Sequence, residues 1–166
     1  SQIVEICKNN DKVIGIGETG LDYYYDYADK KNQIISFENH IIAAQETGLP
    51  LIIHSRDADR DMMEILKKFK KQQDFKALLH CFSSTKKLAK CALDLGILIS
   101  ISGIVTFKNA LDLQEIVKTV PMKSLLVETD SPYLAPMPHR GKSNQPAYTK
   151  HVVQKIAEIK GLDFNE

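Results

Sequence analysis

The sequence predicts an α/β barrel built from parallel strands, and three observations support that fold class. Short, nearly continuous apolar runs of strand length recur along the chain, as expected of parallel strands covered on both faces. Patterns with helical periodicity separate these runs at a spacing of about 25 to 35 residues, which is typical of repeated βαβ units. Ionisable side chains recur near the carboxyl ends of the strands, which favours a barrel over an open doubly wound sheet.

Five apolar runs account for the predicted strands. They are rich in Ile, Leu and Val and lack the strict alternation of a half-exposed strand, which indicates burial on both faces. The runs cover residues 13–17, 51–54, 77–81, 97–101 and 125–128. We expect each run to form one strand of a parallel sheet.

Helices are predicted between the strands from apolar residues three and four positions apart. The helix after the first strand presents Ile34, Phe37 and Ile41 on one face. Similar faces predict helices around residues 62–69, 88–95, 113–120 and 147–160, and another helix over residues 1–8 precedes the first strand. Ser83 or Ser84 is the expected N-cap of the helix that contains residues 88–95.

Composition limits the function classes. The chain has 166 residues, 43% of them hydrophobic and 26% charged, which fits one domain over residues 1–166 with a sizeable core. The net charge of +1 excludes a strongly basic nucleic-acid-binding protein, so phosphate recognition must rely on a few local cations or on metal ions. The three cysteines form no C-x-x-C pattern, which argues against a disulfide framework or a structural zinc site.

Membrane insertion and secretion are not expected from this sequence. No apolar run approaches the roughly 18 residues of a membrane span. No basic segment followed by an apolar segment opens the chain, as it would in a signal peptide. The cytoplasm is therefore the predicted location.

Gly15, Gly17 and Gly20 have the G-x-G-x-x-G spacing of a dinucleotide-binding loop. In such a loop the pyrophosphate lies on backbone N–H groups, so a carboxylate between the second and third glycines would repel it. Glu18 occupies that position, and a Leu-Asp-Tyr-Tyr-Tyr segment follows Gly20 where a helix should begin. The glycine spacing therefore does not indicate nucleotide binding.

Four ionisable residues end or follow predicted strands. Glu18, His54 and His80 lie at the ends of the first three, and Asp130 follows the fifth. Because the carboxyl ends of barrel strands meet at one mouth, we expect these side chains to converge there. Imidazole and carboxylate ligands without thiolate suit Zn, Mn, Co, Ni or Mg. Glu18 can bridge two such ions, and Asp130 can bind metal or accept the proton of an attacking water in phosphoryl hydrolysis.

Five segments resemble, in order and spacing, the motifs of the TatD family of metal-dependent deoxyribonucleases. They are GETGLDYYY, PLIIHSRDAD, LLHCFSS, ISISGIVTFKNA and LLVETDSPYLAPMPHRGKSNQP. The resemblance covers nearly the whole chain and implies a TIM-type barrel that hydrolyses phosphodiester bonds in DNA. It implies that Glu18 bridges two divalent ions and that His54 and His80 complete the shell of one of them. It also implies that Asp130 serves the other ion and the reaction.

The chain departs from the family pattern in its length and in one ligand motif. Family members begin with a strand that carries an H-x-H pair for the first ion, and these 166 residues contain no H-x-H. A complete barrel takes roughly 250 residues, so we expect a TIM-type barrel that is incomplete, about its C-terminal two-thirds. The first two βα units and the extreme C-terminus are predicted to be absent. One complete metal site, made by Glu18, His54 and His80, is expected.

Five residues are predicted to act beside the metals. Arg56, Arg140 and Lys142 follow strands and are predicted to clamp phosphate, with structural salt bridges as the alternative. Tyr23 is a candidate for stacking on bases, and burial under a neighbouring loop is the alternative. Glu128 is predicted to orient a metal ligand or, alternatively, to fill a polar layer of the barrel.

Two functions besides DNA hydrolysis remain open. The chain can be a remnant that keeps part of the fold without catalysis. It can also be a related metal hydrolase that acts on an ester, amide or aminoacyl-tRNA bond, because pocket loops set the specificity of one metal constellation. An incomplete barrel exposes sheet edges and apolar surface, so self-association is expected as well.

Overall fold

The computed structural model describes residues 1–25 and 27–164, which form parallel strands alternating with helices, as predicted. The strands are β1 (Ile16–Asp22), β2 (Leu51–Arg56), β3 (Ala77–Leu79), β4 (Leu98–Ile101) and β5 (Leu125–Val127). The helices are α1 (Gln2–Lys8), α2 (Lys30–Thr47), α3 (Asp59–Gln72), α4 (Lys86–Asp94), α5 (Leu111–Thr119) and α6 (Thr149–Lys160). Residues 26, 165 and 166 of the predicted domain lie outside the described residues.

The strands form one parallel sheet in the order β1-β2-β3-β4-β5. An open doubly wound sheet reverses its strand order at a switch point, whereas a barrel adds each strand beside the previous one. The described strands follow the second pattern. Their carboxyl ends therefore lie along one rim of the sheet, and that rim carries the predicted ligands.

Strand β1 differs from the prediction in its bounds. It continues to Asp22, so Glu18 lies inside the strand and not at its end. The predicted end at residue 17 was wrong because Gly20 allows the extended chain to continue close to β2. A Cβ on Gly20 would lie 1.9 Å from the carbonyl oxygen of His54, so only glycine permits this approach.

An irregularity in pairing separates the two ends of β1. Ile16 pairs with Leu51 and Thr19 pairs with Ile53, so three steps along β1 match two along β2. An extra residue of this kind is typical of a β-bulge, which changes the direction of the side chains beside it. Ile16 and Thr19 are both buried, whereas Glu18 is exposed. Ile16 and Glu18 therefore lie on different faces of β1, although they are two residues apart.

The helices cover one face of the sheet and form the core with it. The largest fully buried side chains include Phe37 and Ile41 of α2, Leu51 and Ile53 of β2, Met62 and Leu66 of α3, and Leu88 of α4. Because this face holds the apolar side chains, the polar residues of the strands are left on the opposite face. Within residues 1–25 and 27–164, no helix has the length and apolar character that crossing a membrane requires.

Helix α4 has a different N-cap from the one predicted. Thr85 caps it, with its Oγ1 accepting a hydrogen bond from the Leu88 N–H at 3.4 Å. Ser84 is engaged elsewhere, because its hydroxyl donates to Asp59 Oδ1 at 2.5 Å. The prediction of Ser83 or Ser84 was wrong because the helix begins at Lys86, which makes Thr85 the residue at its N-cap; the Thr85 hydroxyl donates to the same Asp59 carboxylate.

Candidate metal centre

Three predicted ligands from neighbouring strands meet at the carboxyl rim of the sheet. Glu18 lies on β1, His54 lies on β2, and His80 directly follows β3. Glu18 Oε1 is 3.1 Å from His54 Nδ1 and 3.2 Å from His80 Nε2. Each of the three residues offers one ligand atom, and these atoms lie within 4.8 Å of one another.

The ring of His54 is hydrogen-bonded, on the side away from Glu18, to a carboxylate that the sequence reasoning missed. His54 Nε2 donates to Asp22 Oδ2 at 2.9 Å, because a carboxylate can only accept. The backbone N–H groups of Tyr24 and Tyr25 donate to the other oxygen, Oδ1, at 3.0 and 3.1 Å. Burial would raise the pKa of Asp22, but these hydrogen bonds outweigh it and the pKa is lowered. His54 is therefore oriented with Nδ1 toward Glu18.

The ring of His80 is oriented in the same way by Glu128, which follows β5. His80 Nδ1 lies 2.8 Å from Glu128 Oε1, and the same oxygen accepts from the Cys81 N–H at 2.9 Å. The bond to Glu128 raises the pKa of His80 in spite of its burial. Burial would raise the pKa of Glu128, but the bonds from His80 and Ser100 outweigh it and the pKa is lowered. This contact is the one that the predicted orienting role of Glu128 requires.

Asp130 belongs to a second group of ligand atoms that overlaps the first. Asp130, Glu128 and His80 offer one ligand atom each within 4.8 Å, whereas Asp130 is not in the group formed by Glu18 and His54. The structure thus brings three of the four predicted ligands into one group and places Asp130 beside them. Burial, followed by repulsion from Glu128 and Glu18 and opposed by His80, raises the pKa of Asp130.

Asn144 holds the segment that carries Asp130, and the sequence reasoning did not identify it. Its side chain is buried, and Nδ2 donates to the carbonyl oxygens of Thr129 at 2.7 Å and Tyr133 at 2.8 Å. Its own N–H donates to the Pro132 carbonyl oxygen at 2.9 Å. Asn144 therefore fixes the loop around Asp130 through hydrogen bonds to backbone groups.

A cavity of about 580 Å³ opens over the two ligand groups. Its lining includes Glu18, His54, His80 and Asp130, with Arg56, Tyr25 and Tyr133 around them. The Arg56 guanidinium lies 5.0 Å from the centre of the Tyr25 ring. The cavity therefore combines a cationic side chain with exposed aromatic rings beside the ligands.

The remaining predicted substrate residues have other contacts. The Arg140 guanidinium lies 4.2 Å from the centre of the Phe107 ring, and Lys142 is exposed on the loop before α6. The Tyr23 hydroxyl donates to Asp61 Oδ2 at 2.7 Å, which ties the end of β1 to α3. Of the cationic residues predicted to clamp phosphate, Arg56 is the one that lines the cavity over the ligands.

The donor set fits a divalent cation. One carboxylate oxygen and two imidazole nitrogens are ligands that Zn²⁺ and related ions accept. In both histidines the nitrogen away from Glu18 is bonded to a carboxylate, which fixes ring orientation and raises ligand basicity. The side chain of Glu18 is 51% exposed and that of His54 31%, so an ion can reach them from solvent.

Known proteins with similar sequences include two bacterial hydrolases. The chain is 49% identical over 154 residues to the uncharacterized metal-dependent hydrolase YcfH of Escherichia coli K12, covering 93% of this chain and 58% of that protein. It is 43% identical over 157 residues to the uncharacterized metal-dependent hydrolase YabD of Bacillus subtilis, covering 95% of this chain and 61% of that protein. The chain thus spans about three-fifths of the length of these relatives.

Solved structures show the same fold. The TatD homologue YjjV of Escherichia coli K12 superposes with a TM-score of 0.90 at 25% identity, over 99% of this chain and 63% of that one. A TatD-family hydrolase of Entamoeba histolytica superposes with a TM-score of 0.81 at 25% identity, over 98% of this chain and 62% of that one. These likenesses confirm the predicted TIM-type barrel class.

The family model described as TatD related DNase matches residues 1–166. This match agrees with the metal-dependent hydrolases that the chain resembles and with the ligand cluster of Glu18, His54 and His80. The chain belongs to the TatD family of metal-dependent hydrolases.

Proposed function

We propose that this chain carries the catalytic rim of a deoxyribonuclease that hydrolyses phosphodiester bonds in DNA. In this proposal Glu18, His54 and His80 hold a divalent cation, and Asp130 acts as the proton acceptor. The observation that carries the proposal is the overlap of two ligand groups that share His80 at the floor of one cavity. Metal-assisted phosphodiester hydrolysis uses a cation and a base close together, and these two groups offer ligands for the first and a carboxylate for the second.

Each residue of the site has a distinct task. A divalent cation bound here would supply positive charge to the phosphate and lower the pKa of a bound water. Asp22 and Glu128 keep the histidine rings turned toward Glu18. Asp130 lines the same cavity and lies beside His80, so its carboxylate is placed to accept the proton of the attacking water.

The walls of the cavity support a nucleic-acid substrate. Arg56 lines the cavity and can bind a phosphate oxygen by charge-assisted hydrogen bonds. Tyr25 and Tyr133 are 44% and 70% exposed beside it, and exposed rings stack on bases without sequence preference. Because the net charge is only +1, attraction of DNA depends on this local arrangement.

The test is cleavage of an end-labelled DNA oligonucleotide by the 166-residue chain with Mg²⁺, Mn²⁺, Co²⁺, Ni²⁺ or Zn²⁺. We expect cleavage that EDTA abolishes. His54→Asn should reduce it by at least about 100-fold because a ligand is lost. His40→Asn is the matched control, since His40 is half-buried on α2, outside both ligand groups, with its Nδ1 2.7 Å from the Ser36 carbonyl oxygen.

Two other results would contradict the proposal. Metal binding that His54→Asn abolishes, without cleavage of DNA by the unaltered chain, would indicate a non-catalytic piece of a metal hydrolase. Hydrolysis of a p-nitrophenyl ester or of aminoacyl-tRNA, with DNA left intact under the same conditions, would indicate a related hydrolase with another substrate.

A further inference from the structure

Two histidines outside the candidate metal centre face each other at the start of α6. His139 lies in the loop between β5 and α6, and His151 lies in the first turn of that helix. Their Nε2 atoms are 3.2 Å apart, and their ring centroids are 5.1 Å apart. The two residues are separate from the ligand groups that contain Glu18 and Asp130.

Neighbouring side chains hold both rings in place. The His139 ring stacks on Tyr148, with centroids 3.8 Å apart and planes inclined by 3°. His151 Nδ1 lies 3.2 Å from Gln154 Oε1. Because that oxygen only accepts, the proton of neutral His151 is on Nδ1 and the lone pair is on Nε2. The two Nε2 atoms thus share a single proton, supplied by His139.

The distance between these two nitrogens is also the distance that a metal ion would require. Zinc binds imidazole nitrogen at about 2.0–2.1 Å, so two nitrogens at tetrahedral angles around it lie about 3.3 Å apart. We propose that His139 and His151 form a second cation site, for a nitrogen-preferring divalent ion such as Zn²⁺, Ni²⁺ or Cu²⁺, that ties the β5–α6 loop to α6. The ion takes the place of the shared proton, which leaves Nε2 of His139 for solvent as Nδ1 of the same ring takes up a proton, so both rings stay neutral and both Nε2 lone pairs face the ion. Water completes the shell of the ion.

The charges and ligand types around His139 and His151 determine how strongly the pair binds a cation and which cation it prefers. Loss of solvent around the ring, together with the charges of His151, Lys142 and Lys150, lowers the pKa of His139, so the neutral form that binds metals is favoured. The same lysines repel a cation, so binding should be weaker than at the centre around Glu18. Imidazole nitrogens without a carboxylate favour Cu²⁺, Ni²⁺ and Zn²⁺ over Mg²⁺ and Mn²⁺.

The first experiment is a calorimetric titration of Ni²⁺ into the chain and into four variants. The unaltered chain should show two classes of site. His139→Gln and His151→Gln should each weaken one class at least tenfold, because one of its two protein ligands is lost. His40→Gln, the matched control, should keep both classes, and His54→Asn should keep the class that belongs to the pair.

The second experiment leaves His139 and His151 unaltered and measures the broadening of histidine NMR resonances by Cu²⁺. In the His54→Asn variant, substoichiometric Cu²⁺ should broaden the ring resonances of His139 and His151 before those of His40, and Mg²⁺ should leave all of them unchanged. The proposal is overturned if both classes of Ni²⁺ site survive in His139→Gln and His151→Gln. It is also overturned if Cu²⁺ broadens His40 as early as the pair.

Discussion

At the scale of single residues, two carboxylates that do not line the cavity orient the histidines of the candidate metal centre. Asp22 and Glu128 each accept a hydrogen bond from the imidazole nitrogen that points away from Glu18. A carboxylate in this position fixes the ring and makes its other nitrogen more basic. The strength of cation binding should therefore depend on residues that need not contact the cation.

Replacing Asp22 by Asn is expected to lower the affinity of the centre for Zn²⁺ or Mn²⁺ by about 10- to 100-fold, because the neutral amide makes His54 less basic. Calorimetry measures this affinity. Asp94→Asn is the control, since Asp94 forms a surface pair with Lys90 at 2.7 Å on α4. Equal affinity in the two variants would show that Asp22 has no role in metal binding.

Tyr23 contributes to the stability of the fold, and this contribution is lost at alkaline pH. Its hydroxyl donates to Asp61, and burial followed by this bond raises its pKa from 10.0 to about 12. The folded pKa lies above the unfolded one, so the stabilisation is complete below pH 10 and is lost as the pH rises toward 12. Tyr23→Phe should lower the free energy of unfolding by about 1 kcal/mol at pH 8.

The measurement is urea unfolding of the unaltered chain and Tyr23→Phe at pH 8 and pH 11. The difference between them should shrink at the higher pH, because Tyr23 then begins to ionise in the unfolded state. A difference that stays constant between the two pH values would mean that the hydroxyl bond to Asp61 does not stabilise the fold.

At the scale of elements, the close approach of β1 to β2 positions Glu18 beside His54. Gly20 has a φ of 153° and pairs with His54, whose carbonyl oxygen lies 1.9 Å from the place that a Cβ would take. The loop after β5 is positioned differently, by three hydrogen bonds that Asn144 donates. One part of the site is thus set by strand pairing and another by a single buried amide.

Gly20→Ala should destabilise the protein by more than about 4 kcal/mol, because the new Cβ forces β1 away from β2. Gly48→Ala is the control for backbone strain alone. Gly48 has a φ of 72°, which strains any other residue, but no atom lies within 4 Å of the place that a methyl group would take. It should cost about 1–2 kcal/mol. Thermal unfolding compares the two, and equal losses would contradict the contact argument.

Asn144→Ala should lower the free energy of unfolding by about 1–3 kcal/mol, because the carbonyl oxygens of Thr129 and Tyr133 lose their donor. Hydrogen exchange of the loop should speed up around Asp130 more than in β2. Asn109→Ala, at an exposed position, is the control. Unchanged exchange near Asp130 would show that the loop is held by other contacts.

The sequence predicted some of these elements better than others, for physical reasons. Apolar runs and their helical neighbours predicted the five strands of the described residues. The position of Glu18, His54 and His80 near strand ends predicted that these three side chains would meet. Asp22 was missed because β1 was predicted to end at residue 17, although a strand places residues four apart on one face. Asn144 was missed because its partners are backbone carbonyls, which leave no periodic pattern.

At the scale of the whole molecule, the sheet has two edges in the described residues, β1 and β5. Leu126 and Val127 of β5 are each 39% exposed, and Ile14 before β1 is 82% exposed. Unpaired strand edges with apolar side chains are templates for pairing with another chain. We therefore expect the isolated chain to associate with itself as its concentration rises.

Sedimentation velocity over a hundredfold range of concentration tests this expectation. The double substitution Leu126→Thr and Val127→Thr should shift the chain toward the monomer, because it makes the exposed residues of β5 polar. Ile35→Thr on α2, where Ile35 is 47% exposed, is the matched control and should associate like the unaltered chain. A monomer at every concentration would contradict the role of the sheet edges.

The sequential order of the strands also bears on how the protein is made. Each strand pairs with the one synthesised just before it, so a chain leaving the ribosome can add one βα unit at a time to a neighbour already in place. Glu18, His54 and His80 come from the first three strands, whereas Asp130 follows the fifth. During translation the side chains proposed to hold the cation would therefore be in place well before Asp130, the proposed proton acceptor, and the proposed hydrolysis would have to wait until β5 has been synthesised.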